Sequence, residues 1–385
     1  MTDQPTLLRA KLPAPNQSVL RLLLVSTSFP RNMEDWRGLF MRHLVDALAR
    51  SPQIDLSVWA PPGDLPANAA WATTTQESSW LLNLMERGGI AHTMRKGGLS
   101  ALLAPWRLLH YLAQAYGRCA VDVYHINWLQ CSLPLPANGK PALISVLGTD
   151  MKLLRLPLMK TFLRRAMRQR KVTICPNADW MEEPLREAFG DLAEVKTVSF
   201  GIDPRWYGIQ RKLEQGRTKR WLVVTRLTRD KLGPLLDWSE PLFRDGEREL
   251  HLFGPMQEAI ALPDWLHYHG PTTPLQLSEE WFPTAQGLVT LSRHAEGRPQ
   301  VMLEAMAAAL PIIASRIPAH ADLIEEGVTG FLCDSVEDYG GAVYRLEDQV
   351  TNEYFGDAAR TWVARGIGTW DDCVDRYTAI YRQLL

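Results

Sequence analysis

Glu304 is a lone carboxylate in a stretch of Val, Met, Leu and Ala, EGRPQVMLEAMAAALPIIAS (296–315), and a second carboxylate, Glu296, stands eight residues ahead of it. A charge is rarely buried unless something pairs with it or binds it, so Glu304 needs a partner that its own segment does not supply. Pro299 suits the first turn of a helix, where its missing N–H would be unpaired anyway, and this predicts a helix starting near 298–300. Eight helical residues advance about 80° beyond two full turns, so the two carboxylates would not share a helical face. Glu296 falls instead in the loop before the helix. A strand ending near 291–292, a loop carrying Glu296 and Gly297, and helix amides pointing at that loop make a place for a phosphate or another anion.

Strand-like and helical runs alternate along the whole chain, the pattern of parallel α/β sheets. The first series of strands is expected at 20–26, 54–59, 121–126, 142–147, 171–175 and 195–199. The segment 201–220 is polar and charged and reads as a linker. A second series follows at 221–225, 249–253, 287–291 and 311–314. The expected organisation is an α/β fold of two doubly wound, Rossmann-like domains facing across a cleft: residues 1–205, residues 206–365, and a terminal helix in 366–385 packing back on the first domain. Ligands of such sheets bind beyond the carboxyl ends of the strands. Arg226, Gly254, Glu296 and Glu304 follow strand ends in the second domain, and Gly38 and Gly148 do so in the first.

The chain has 385 residues, enough for two cores, and its 46% hydrophobic and 22% charged residues are ordinary for a globular protein. A formal net charge of −1 gives no reason to expect a nucleic acid partner. Five cysteines, odd in number and without a C-x-x-C, fit neither a disulfide framework nor a zinc site, and a reducing, cytoplasmic setting is expected. The apolar run VLRLLLVS is broken by Arg21 and preceded by a polar, Pro-rich stretch, which does not read as a signal peptide. From Met151 to Ala178 there is no acidic residue but eight basic ones. Lys160, Arg164 and Arg168 share one helical face there, which reads either as a solvated surface or as an attachment to an anionic membrane.

The E-x7-E spacing with its Ala/Met helix, followed by LPIIAS and EEGVTGFL (325–332), resembles the donor-site signature of family-4 retaining glycosyltransferases, enzymes of GT-B architecture. FPRNMEDWRGLFMRHLVDALA (29–49) resembles their first glycine loop and helix, SVLGTDM (145–151) their HG-x-D loop, and VSFGID (198–203) their NGID turn. VVTRLTRDKLG (223–233) resembles the segment whose Arg and Lys hold the donor diphosphate. Leu147, Thr225 and Ala309 stand where the family often has His, Gly and Gly.

The resemblance implies transfer of a sugar, with retention of configuration, from a UDP- or GDP-linked nucleotide sugar to a glycan or lipid-linked saccharide, as in bacterial polysaccharide synthesis. Arg226 and Lys231 would neutralise the leaving diphosphate, Glu296 would contact the transferred sugar, and Glu304 would take the ribose hydroxyls. Gly38, Gly148, Asp150, Gly254, Gly297, Arg298 and Pro299 would complete the donor site. No D-x-D is present, so no metal or other cofactor is expected beside the nucleotide sugar. Other readings stay open: Arg226 and Lys231 as plain surface cations, Glu304 paired with an arginine, or Glu296 and Glu304 as a glycosidase pair, the last disfavoured because one lies on an apolar helix. For the whole chain the rivals are a degenerate GT-B nucleotide-binding subunit and a phosphorylase of the same fold. His43 or His125 could compensate for Leu147.

Overall fold

The computed structural model describes residues 19–89, 99–213 and 218–385. The polar, Pro-rich stretch ahead of the first strand lies outside them, as do residues 214–217 of the expected linker. Thirteen strands are present among the described residues: β1 Leu20–Val25, β2 Ile54–Trp59, β3 Ala69–Trp71, β4 Val123–Asn127, β5 Ala142–Val146, β6 Val172–Pro176, β7 Glu194–Val195, β8 Lys219–Val224, β9 Arg248–Phe253, β10 Leu266–Gly270, β11 Gly287–Thr290, β12 Ile312–Ser315 and β13 Gly330–Cys333. They form a seven-stranded sheet of order β3-β2-β1-β4-β5-β6-β7 and a six-stranded sheet of order β10-β9-β8-β11-β12-β13. Every pairing is parallel.

The central strands β4, β5 and β6 are buried at every position, as strands covered by helices on both faces must be. In each sheet the strand order reverses once, between β1 and β4 and between β8 and β11, and these two points open crevices at the carboxyl ends. Three strands were not anticipated. β3 has three residues, β13 four, and β10, with His267, Tyr268 and His269 exposed, lacks an apolar pattern because it is an edge. The strand expected at 195–199 is regular only at its start, although Lys196 and Val198 still donate backbone hydrogen bonds to Ile174 and Pro176.

The chain crosses between the sheets twice, at neighbouring places. Phe200 is buried in the first domain's core, and Ile202, Trp206 and Ile209 are buried in the second. The segment 201–220 does run between the two sheets, and three spaced apolar side chains, hidden among charged neighbours, anchor its first half. On the return, Val363 and Ile367 belong to the second core and Trp370 to the first. The crossings touch: Ile202 donates a backbone hydrogen bond to Gly368 at 3.1 Å, and a Cβ on Gly201 would sit 2.3 Å from the Trp370 nitrogen. The final helix, Trp370–Leu384, then buries Cys373, Val374, Tyr377, Ile380, Tyr381 and Leu384 among Leu22, Leu44 and Leu48 of the first domain.

Candidate active site

At the switch point of the second sheet, the chain leaves β8 through Arg226 and turns into a short helix, Arg229–Leu232, capped by the Thr228 hydroxyl, which accepts the Lys231 N–H at 3.2 Å. The loop after β11 comes alongside: Arg293 donates its backbone N–H to Asp230 at 2.8 Å, and Gly233, with φ of 54°, lies so close to Leu291 that a Cβ would meet its carbonyl oxygen at 2.0 Å. These contacts bring Lys231 into an ion pair with Glu296, whose side chains are 11% and 17% exposed. Burial pulls the Lys231 ammonium down from its ordinary value, opposed by Glu296 and assisted by the nearby Arg226. Burial would push the Glu296 carboxyl up, but Lys231, with smaller help from His320 and His294, holds it below its ordinary value. The Ser292 hydroxyl also donates to Glu296, at 3.3 Å.

The helix Gln300–Ala307 starts one residue past Pro299, which caps it with φ −65° and ψ 120°. Glu304 is half-buried on this helix, and among the described residues no hydrogen bond or ion pair reaches its carboxylate. Burial, with the charge of Asp203 adding to it, pushes its carboxyl up to about 8. The alternative of an arginine partner is not realised; Arg205 exerts only a weaker opposing influence.

The first domain meets this loop directly. Gly148 has φ of 105°, and a Cβ there would fall 2.1 Å from the Gly297 nitrogen; one on Gly297 would fall 2.6 Å from the Leu147 carbonyl oxygen. Two glycines let the backbones touch across the cleft. Asp150, expected as a donor contact, is instead buried beneath that loop and accepts backbone N–H bonds from Leu129, Leu147 and Gly148 at 3.2, 3.1 and 3.0 Å, while burial raises its carboxyl to about 6. The Arg298 guanidinium, also expected at the donor, bonds to Ser199, Asp179 and Asp322. Gly254 is wedged against the Thr225 carbonyl, where a Cβ would stand at 1.8 Å, and supports the Arg226 turn. Gly38 has φ of 73° at the start of the helix Leu39–Ala49, packed on Ser28 and Phe29 of its own domain.

Of the two histidines proposed to stand in for Leu147, His125 is not placed to do so. His125 is buried between the Tyr381 and Ser145 hydroxyls, at 2.6 and 2.9 Å, and burial drives its imidazole down to about 3. His43 stacks on Trp370. Leu147 itself packs on the first domain's core. Besides His320, which also acts on Glu296, the histidine that adjoins the site is His294. It is half-buried, and burial lowers its imidazole, with influence from Lys231, Glu296, Lys152 and Arg226 around it. Its place two residues before Glu296 was the available signal.

Residues 218–349 match the model of the family described as glycosyl transferases group 1. Over 142 residues the chain is 25% identical to the D-inositol 3-phosphate glycosyltransferase of Thermobifida fusca, a match covering 36% of this chain and 32% of that one, so about a third of the relative's length is represented. Sucrose-phosphate synthase of Thermosynechococcus elongatus has a similar structure, with a TM-score of 0.71 at 14% identity over 95% of this chain and 99% of that one. So has the Anabaena protein HepE solved with UDP and glucose, with a TM-score of 0.64 at 13% identity over 94% and 99%. At such identities the likeness is one of fold, and the fold is GT-B: two Rossmann-like domains facing across a cleft.

Proposed function

We propose that this chain is a retaining glycosyltransferase that moves a sugar from a nucleotide diphosphate sugar, held by its second domain, to a saccharide acceptor held by the first. The observation that carries the reading is the buried Lys231–Glu296 pair beside Arg226, set where the second sheet's strand order reverses. Two cations there can neutralise the charge that grows on a departing diphosphate. Glu296, at the mouth of the same loop, opposes the burial that draws the Lys231 ammonium down and is within reach of a sugar attached to that diphosphate. The carboxylate of Glu304, without a partner among the described residues, supplies acceptors for ribose hydroxyls. The family match to the second domain supports the transferase reading, and HepE, a protein of the same fold, is solved with UDP and glucose.

On this reading no side chain of the cleft is a covalent nucleophile. A phosphate oxygen of the donor takes the acceptor's proton as the new glycosidic bond forms on the face the diphosphate leaves, which preserves configuration. The protein contributes position and charge, and needs no metal for it. The acceptor is a glycan or lipid-linked saccharide, reached from the cytoplasmic face of a membrane through the basic stretch 152–171. No helix among the described residues is long and apolar enough to cross a membrane.

Calorimetry of the protein against UDP, GDP and ADP without metal tests the proposal, repeated with Glu304→Ala and followed by turnover of Lys231→Ala. One nucleotide should bind, more weakly in the Glu304 variant, and Lys231→Ala should lose about 10²-fold in turnover. Leu147, turned to the core, favours a second reading as a non-catalytic nucleotide-binding subunit. Binding without transfer of any sugar to any saccharide would select it.

A further inference from the structure

We infer that Arg298 is a positioning residue: its buried guanidinium is a clasp between the domains that sets the Glu296–Gly297 backbone against the acceptor-side loop. The side chain is 3% exposed and holds partners from both sides of the cleft. Ser199 and Asp179 belong to the first domain, and Asp322, itself 9% exposed, to the second. The Asp322 carboxylate also accepts the backbone N–H of Asp179 at 3.1 Å, so one oxygen bridges a cation of its own domain and an amide of the other. A planar guanidinium suits such a junction, since its fork of donors fixes direction as well as charge.

The clasp grips the chain at the point where the site is assembled. Immediately before Arg298, the Gly297 carbonyl accepts from the Trp180 indole of the first domain at 3.2 Å, and its Cα has the Leu147 carbonyl and Asn177 against it. Immediately before that stands Glu296, the partner of Lys231. Moving the domains apart removes Asp179, Ser199 and Trp180 from residues 297 and 298 together and leaves Arg298 with Asp322 alone. Closure of the cleft and placement of Glu296 are thus one geometric event, and a clasp of this kind acts on turnover more than on nucleotide capture. What closure serves rests on the transferase reading; that the clasp governs closure does not.

Arg298→Ala would leave Asp322 buried without its cation, which endangers folding. Asp179, with its side chain 67% exposed, is the safer position. Asp179→Ala and Arg298→Lys are to be compared with the parent chain by distances between spin labels at Glu183 and Glu325, by UDP and GDP calorimetry, and by kcat and KM for transfer, with Asp179→Asn as the conservative variant. Both principal variants should broaden the label distances and lower kcat about tenfold while leaving nucleotide affinity within about twofold, and Asp179→Asn should fall between Asp179→Ala and the parent. Unchanged label distances in both variants would overturn the clasp. If the parent chain binds no nucleotide, the transferase reading fails, and the label distances still decide the clasp.

Discussion

Two carboxylates eight positions apart meet opposite fates, and the difference is a neighbouring cation. Glu296 has Lys231 and is held below its ordinary value, whereas Glu304 has no partner among the described residues and is pushed up to about 8. With its carboxyl pushed up to about 8, Glu304 favours the protonated form at pH 7. Ribose hydroxyls donating to it would favour the carboxylate, so nucleotide binding at pH 7 is expected to release a proton, read as a heat that varies with the ionisation enthalpy of the buffer. The same shift bears on stability. The folded carboxyl keeps its proton to about pH 8 and the unfolded one only to its ordinary 4.5, so the folded state binds more protons between these values and stability falls as pH rises through them. Glu304→Gln should therefore gain in melting temperature over the parent at pH 9 and lose that advantage near pH 4; a gap independent of pH would contradict the assignment. The need of Glu304 for a partner was legible in the sequence, because a charge in an apolar run is a local anomaly. The clasp of Arg298 was not. Its partners lie 24, 99 and 119 positions away, and pairs so distant leave no periodic trace along the chain.

Among the elements, long strands of the sheet interiors announced themselves by unbroken apolar runs, and short or edge strands did not. β10 carries three polar residues in five because one side of an edge faces solvent. The helix Met159–Met167 shows what an amphipathic pattern leaves undecided. Two of its segment's cations serve the fold: Arg164 pairs with Asp191, and Arg170 donates to the Ala166, Lys140 and Pro136 carbonyls. Lys152, Arg155, Lys160, Arg165 and Arg168 remain exposed. Beside them Leu158 and Phe162 are 67% and 54% exposed, and Leu158 adopts φ of 62°, a strained value for a leucine. Apolar side chains among exposed cations suit the surface of an anionic bilayer. Cosedimentation with vesicles containing phosphatidylglycerol is expected, with loss on Phe162→Asp or Lys160→Glu and none with phosphatidylcholine alone. Equal recovery on both vesicle types would return this face to the role of a solvated surface.

In the whole molecule the domains are coupled by their connections as well as by the cleft. Both crossings run side by side, hydrogen-bonded at Ile202 and Gly368, so relative motion of the domains must bend the two together. The alternation of strands and helices predicted two sheets; that the return crossing would lie on the outward one was not legible, because Gly201 and Thr369, which meet there, are 168 positions apart in the chain. The helix Trp370–Leu384 has a further consequence, for the order in which the protein can be made. Its buried face completes a core whose strands leave the ribosome first, and the entire second domain is synthesised in between. At cellular rates of elongation that interval is on the order of ten seconds or more. We predict that a nascent chain stalled just before residue 370 presents its first sheet to proteases and chaperones while its second already resists them; equal resistance of both would refute this. The half of the protein that is born first is the last to mature.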